Sequence, residues 1–250
     1  MIVDIHNHIL PGLDDGAQTM EDAILLAANA VENGVTHIIA TPHHNEKYWN
    51  DPKQIKEAVL NLTREIALKK IPIKILPGQE INFYNGMHGD IGDQLLTLAN
   101  SGKYILIEFP NYQLPSFLFD ILFQIQLKGF IPIIVHPERN LVLRKNKQLV
   151  YELVTKGALI QITASSLIGV DGFKIKKYTR DLLNHNLVHF ISSDSHHHLS
   201  RPFLLKEAYQ YVQKKFSEKL LTYFIENAKH VLFGTEFQPL TPIGFKKVSN

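Results

Sequence analysis

Ile2-Val3-Asp4-Ile5-His6-Asn7-His8 is an apolar run that ends in imidazoles, and five more segments of the chain repeat its form. They are His37-Ile38-Ile39-Ala40-Thr41-Pro42-His43-His44, Ile73-Lys74-Ile75-Leu76-Pro77-Gly78-Gln79-Glu80, Tyr104-Ile105-Leu106-Ile107-Glu108, Ile131-Pro132-Ile133-Ile134-Val135-His136, and Val188-His189-Phe190-Ile191-Ser192-Ser193-Asp194-Ser195-His196. A lone strand-end histidine is more often a satisfied hydrogen-bonding group than a ligand. Six runs of one form put imidazoles and carboxylates together on one rim of a parallel barrel, where several metal ions can be held. Residues two apart on a strand share a face, so His6 and His8 can grip one ion. A carboxylate such as Glu80 can bridge two ions. All these donors are nitrogen or oxygen, which suits manganese, iron or zinc.

Between the runs lie stretches of helical period. In Thr19 to Asn33, residues Ala23, Leu26, Ala27, Ala30 and Val31 recur at i, i+3 and i+4, with Thr19 as N-cap, Asp22 three residues on and Gly34 as the stop. Further helices are expected over Pro52 to Leu68, Ser116 to Lys128, Lys147 to Lys156, Gly172 to His185, Pro202 to Lys214 and Ser217 to Ala228. A seventh run, Ala158 to Thr163, ends without a metal ligand. The expected architecture is α/β, a distorted TIM-like (β/α)7 barrel over residues 1–233, one repeat short of eight. Residues 234–250, with Pro239, Pro242 and a Lys246-Lys247 pair, read as an irregular tail, loose or docked.

With 250 residues, 45% of them hydrophobic and 20% charged, the chain can build one large domain. It has no cysteine, which excludes disulfides, thiolate metal sites and a cysteine nucleophile. The opening lacks a basic segment followed by a long apolar run, and no eighteen-residue apolar stretch occurs, so a cytoplasmic protein without a membrane span is expected. A net charge of +2, with no basic stretch interleaved with aromatics, does not point to nucleic acid.

His-x-His, Thr-Pro-His, Gly-Gln-Glu, Ile-Glu-Phe, His-Pro-Glu-Arg and Ser-Asp-Ser-His stand in the order found in the polymerase and histidinol phosphatase (PHP) superfamily, and the chain resembles it from residue 2 to about residue 230. The opening Asp4 to Gly16 is similar to the manganese-dependent protein tyrosine phosphatases that accompany capsule and exopolysaccharide tyrosine kinases in Gram-positive bacteria. The resemblance implies three divalent ions, manganese first among the candidates. It implies His6, His8, Glu80 and Asp194 on one ion, Glu80, Glu108 and His136 on the second, and Asp15, His43 and His196 on the third. Asp15 is preferred to Asp14, which would be a cap or a supporting partner. Arg139 and Arg201 match the family's phosphate-binding arginines, and a guanidinium fork suits phosphate oxygens. The implied reaction is hydrolysis of phosphotyrosine by metal-activated hydroxide, with a bacterial tyrosine kinase as the expected substrate. Tyr48-Trp49, Phe83-Tyr84 and Tyr112 with Phe117 lie in loops on the same rim and could clasp the aromatic ring.

Bland readings stand beside these. Arg139 and Arg201 could pair with a rim carboxylate such as Glu138, and the aromatics could be ordinary packing. His44, His197 and His198 read as supporting or solvent-facing groups. His37 and His189 belong to the other end of the barrel, and His88, His185 and His230 have no ligand context. A small-molecule phosphomonoesterase such as a histidinol phosphatase would use the same ions in a more enclosed pocket. A nuclease would add a basic or stacking groove. A non-catalytic regulatory module would show an eroded ligand set and attachment to another domain; here every expected position is filled, and the chain ends about where the barrel does.

Overall fold

A computed structural model describes residues 1–245. Its strands are β1 (Val3–Asp4), β2 (His37–Ala40), β3 (His43–His44), β4 (Lys74–Pro77), β5 (Glu80–Asn82), β6 (Tyr104–Glu108), β7 (Ile131–Val135), β8 (Leu159–Thr163) and β9 (Phe190–Ser192). They pair in parallel in two rows, β1-β2-β4 and β3-β5-β6-β7-β8-β9. The two rows are halves of the same staves. β2 runs into β3 across Thr41-Pro42, where proline has no N–H for the ladder, and β4 runs into β5 across Gly78-Gln79. A Cβ on Gly78 would stand 2.7 Å from Ile39 Cγ2, so only glycine allows that close crossing.

Seven staves result, and the first meets the last. His8 N–H donates to Ser195 O at 2.8 Å, Asp194 N–H to His6 O at 2.9 Å and Ser193 N–H to Asp4 Oδ1 at 2.9 Å. These bonds lie beyond the regular part of β1 and β9, just where the ligand-type residues sit. The closed, TIM-like seven-stave barrel agrees with the alternation of the sequence.

Around it stand α1 (Met20–Glu32), α2 (Pro52–Leu68), α3 (Met87–Asp90), α4 (Leu118–Leu127), α5 (Leu141–Lys145), α6 (Lys147–Thr155), α7 (Ala164–Ile168), α8 (Phe173–Asn184), α9 (Leu205–Lys215) and α10 (Glu218–Phe233). Thr19 and Asp22 form the expected capping box of α1. Asp51 and Ser217 cap α2 and α10. Three differences from the sequence reading have physical causes. α9 starts at Leu205 rather than Pro202, because Arg201 is bonded back to His196 and His197 and Leu204 has φ +53°. α10 runs five residues past Ala228, because Val231 and Leu232 pack on the foot of the barrel. The short helices α3, α5 and α7 carry too few residues to show a period.

Inward-facing residues step by two along each strand, and their character changes on the way up. Tyr104 and Leu106 lead to Glu108, Leu159 to Gln161, and Phe190 to Asp194. The lower interior is therefore an apolar plug of Val3, Ile5, Ile39, Tyr104, Leu106, Ile133, Leu159 and Phe190. Residues 235–245 form no helix or strand but lie docked beneath it. Tyr104 Oη donates to Thr235 O at 2.6 Å, Phe237 meets Phe190 edge-on with centroids 5.8 Å apart, and Ile243 N–H donates to His185 O at 2.8 Å. The Lys246-Lys247 pair lies outside the described residues. Among the described residues, no helix is long and apolar enough to cross a membrane.

Candidate metal centre

At the upper end of the staves, His6, His8, Asp15, His43, Glu80, Glu108, His136, Asp194 and His196 converge. Their donor atoms form four overlapping groups, each lying within 4.8 Å: His8, Asp15, His43 and His196; His6, His8 and Asp194; His6, Glu80 and His136; His43, Glu80 and Glu108. Glu80 is central. Its Oε2 lies 3.2 Å from His6 Nε2, 3.3 Å from His8 Nε2 and 3.0 Å from His43 Nδ1, and its Oε1 lies 3.0 Å from His136 Nε2. Asp194 Oδ1 lies 3.4 Å and 3.3 Å from the Nε2 atoms of His6 and His8. Asp15 Oδ1 is 3.5 Å from Nε2 of both His43 and His196.

The tautomers are set from behind. Gln161 gives its amide hydrogen to Ile162 O at 2.8 Å, which turns its carbonyl to His6 Nδ1 at 2.9 Å. His8 Nδ1–H donates to Asp14 Oδ2 at 2.6 Å, and His196 Nδ1–H to Asp194 O at 3.0 Å. Each ring thus keeps its Nε2 lone pair for the centre. His6 and His8 then face each other through Nε2 atoms 3.3 Å apart, while Glu80 Oε2 is buried without a hydrogen-bond donor. Acceptors crowded together in this way need either protons or a cation between them. Divalent ions fit the donor set, and the shifts describe the proton alternative. Burial opposes charge on His8, yet Asp14 raises its pKa well above the ordinary value. Burial also opposes charge on Glu80 and Asp194, yet His6 and His43 hold the first well below the carboxylate range and Arg139 and His6 the second. His196 is lowered to about 4, chiefly by burial and then by the charge of His8, so it is neutral and able to ligate near pH 7.

Asp14 and Asp15 stand in different surroundings. Asp14 is buried and accepts from the His8 ring, from the Gly16 N–H at 2.9 Å and from the His43 backbone N–H at 3.0 Å, so it braces one imidazole and the main chain that carries another. Asp15 is half exposed and faces the cavity.

That cavity, about 400 Å³, is lined by all of the cluster except the buried His6 and His8 and by Asn111, Tyr112, Leu141, Arg139 and Arg201. Both arginines reach Asp194 Oδ2, Arg139 through Nη1 and Arg201 through Nη2 at 2.9 Å. The carboxylate therefore divides, Oδ1 to the imidazoles and Oδ2 to the guanidiniums. Glu138 is not their partner; it is buried and accepts from Thr163 N–H at 2.7 Å and Oγ1 at 2.9 Å.

The aromatic residues also divide. Only Tyr112, 81% exposed, lines the cavity. Phe83 is core, packed on Phe109 and Phe117. Tyr84 is tied to Asp90 at 2.5 Å, and Tyr48 stacks parallel to His43 at 6.2 Å. His44 is buried under Trp49, with Nδ1 on Asn50 O at 3.0 Å, and His197 and His198 stack on each other outside the cluster. His189 is buried at the foot, where desolvation lowers its pKa to about 3. Sequence reasoning missed Gln161, on the one stave read as having no ligand; its only signal was a polar residue inside an apolar run.

A parallel β/α barrel with histidines and carboxylates gathered at its strand ends defines a barrel metallohydrolase. The chain belongs to the capsular polysaccharide synthesis family CpsB/CapC, which matches residues 2–233. It is 42% identical over 250 residues to the tyrosine-protein phosphatase YwqE of Bacillus subtilis (strain 168), covering 99% of this chain and 98% of YwqE. It is 30% identical over 238 residues to the tyrosine-protein phosphatase CpsB of Streptococcus agalactiae serotype V, covering 92% and 98%. A crystal structure from work on YwqE from Bacillus subtilis and CpsB from Streptococcus pneumoniae, described as metal-dependent tyrosine phosphatases, superimposes with a TM-score of 0.95 at 42% identity, over 98% of this chain and 100% of that one.

Proposed function

We propose that this chain is a metal-dependent tyrosine-protein phosphatase of a capsule or exopolysaccharide system, acting on a bacterial tyrosine kinase in the cytoplasm. The observation that carries the reading is that one cavity is lined by two guanidiniums and by seven members of the nine-residue donor cluster, with His6 and His8 buried against them. Three ions, manganese first, would be held by His6, His8, Glu80 and Asp194; by Glu80, Glu108 and His136; and by Asp15, His43 and His196. Bound there, divalent ions supply Lewis-acid charge and make water a nucleophile near neutral pH. The protein supplies the rest. Asp14, Gln161 and the Asp194 carbonyl fix the ring tautomers. Arg139 and Arg201, oriented by Asp194, present their free N–H groups to phosphoryl oxygens and neutralise charge as the ester breaks. A phenolate, with pKa about 10, leaves with little help from an acid, so the cavity's lack of an assigned proton donor suits phosphotyrosine. Tyr112, exposed on the cavity wall, is the aromatic group assigned to the substrate ring.

The test is phosphate release from a tyrosine-phosphorylated peptide by metal-depleted protein given manganese, with histidinol phosphate and single-stranded DNA in parallel. The reading expects turnover of the peptide, lost in His136→Ala. Turnover of histidinol phosphate or DNA alone would discard the substrate. No turnover at all with metal bound would favour a regulatory module.

A further inference from the structure

Trp49 does not line the metal cavity. It is 66% exposed and walls a separate cleft of about 540 Å³ with His44, Glu46, Phe83, Tyr84 and Asp90. Its exposure is not that of a loose loop. His44 and Trp49 bridge as a small antiparallel hairpin, whose turn is closed by Asn45 N–H to Tyr48 O at 3.0 Å. Asn45 Oδ1 accepts the N–H groups of Lys47 and Tyr48 at 3.0 and 2.9 Å. The next residue, Asn50, is buried and pins the base: its amide donates to Leu13 O and His43 O at 2.9 and 2.8 Å, and its carbonyl accepts from Gln79 at 2.6 Å. The indole rests on His44 with centroids 4.5 Å apart. A large aromatic side chain held rigid and wet is what a recognition surface needs, because little entropy is lost when it is covered.

The cleft adjoins the metal cavity. His43 lines one and His44 the other, and Asn82 of the cleft is the register partner of Glu108 in the cavity. Because the two recesses adjoin along β3 and β5, a polypeptide whose phosphotyrosine enters the cavity can lay a neighbouring residue in the cleft. The walls state its chemistry. Trp49 and Tyr84 give apolar and π faces, and the two carboxylates of Glu46 and Asp90 outnumber the one ammonium in the lining, Lys47, which is turned to the Tyr48 ring at 4.5 Å. An aliphatic stem with a cationic head matches that lining.

We propose that the Trp49 cleft selects phosphotyrosine polypeptides carrying a lysine or arginine a few residues from the phosphotyrosine, a specificity that rests on the phosphatase reading. The experiment compares two phosphotyrosine peptides, alike except for lysine or glutamate at the flanking positions, with p-nitrophenyl phosphate as the small substrate. Wild type is expected to favour the lysine peptide about tenfold in kcat/KM. Trp49→Ala should bring the two peptides within about twofold and lower the lysine peptide relative to p-nitrophenyl phosphate, and Glu46→Lys should erase or reverse the preference. Trp49 is the only tryptophan of the chain. Its emission should therefore shift with a phosphonate analogue of the lysine peptide and not with inorganic phosphate. Equal peptide rates in wild type, an unchanged preference in Trp49→Ala, or unmoved emission would overturn the proposal while leaving the phosphatase reading intact. Failure of wild type on both peptides and on p-nitrophenyl phosphate would overturn both.

Discussion

The two halves of the barrel interior are built from the same strands and solve opposite problems. The lower half buries Tyr104, Leu106, Ile133 and Phe190 against Phe237, and every contact there favours the fold. The upper half buries His6, His8, Glu80 and Asp194, with each Nε2 of His6 and His8 3.2–3.4 Å from both carboxylates and 3.3 Å from the other Nε2. Packing specifies the first by itself. The second is completed by something added, protons or cations, and its geometry is held by the seam at Asp4, His6, His8 and Ser193 to Ser195. Stability should therefore reside in the lower half and chemistry in the upper.

The largest effect that would break this division is in activity. His136→Ala should lower phosphate release about a thousandfold, near 4 kcal/mol in transition-state terms, while melting of the metal-free protein moves by only a few degrees. Cooperative loss of the fold in that variant would show the halves to be inseparable. The mirror experiment is Leu106→Ala. It should destabilise the chain by about 2–5 kcal/mol in denaturant titrations, yet leave metal affinity of the folded fraction within about twofold.

A smaller effect sharpens the boundary. Asp14→Asn and Gln161→Leu keep every direct donor but release a tautomer, and each should weaken manganese binding about ten- to hundredfold by calorimetry. Unchanged affinity would remove Asp14 or Gln161 from the centre.

The smallest effect is with pH. In the metal-free chain, burial opposes the charged forms of His8, His43 and His136, but Asp14 and Glu80 raise their pKa values above the ordinary histidine value. A raised pKa stabilises the fold fully below about pH 6.5, and that contribution is lost as pH rises through the folded values. Melting of the chelated protein should fall by a few degrees between pH 6.5 and 9, and manganese should flatten the dependence. A chelated protein that melts higher at pH 9 would contradict the assignment of these protons.

Much of this was legible in the sequence because strand period and ligand type coincide. Six of the seven apolar runs carry a donor at one end, so the staves and the rim follow from one pattern. Where the pattern was silent, longer-range contacts decided. The extension of α10 depends on the foot of the barrel, and the role of Gln161 depends on His6, 155 residues away in sequence. The arginines illustrate the same limit: Arg139 and Arg201 were found by motif, but only the fold puts both on Asp194 Oδ2 rather than on Glu138. The aromatics divided for a related reason, since exposure of Trp49 and burial of Phe83 are decided by what packs above them.

The most direct test is a manganese titration of metal-depleted protein, followed at once by metal content and by proton release. The account predicts three ions per chain, bound with release of protons from the buried imidazoles, and a higher melting temperature once they are in place. Full phosphatase activity in protein that binds no metal would contradict it.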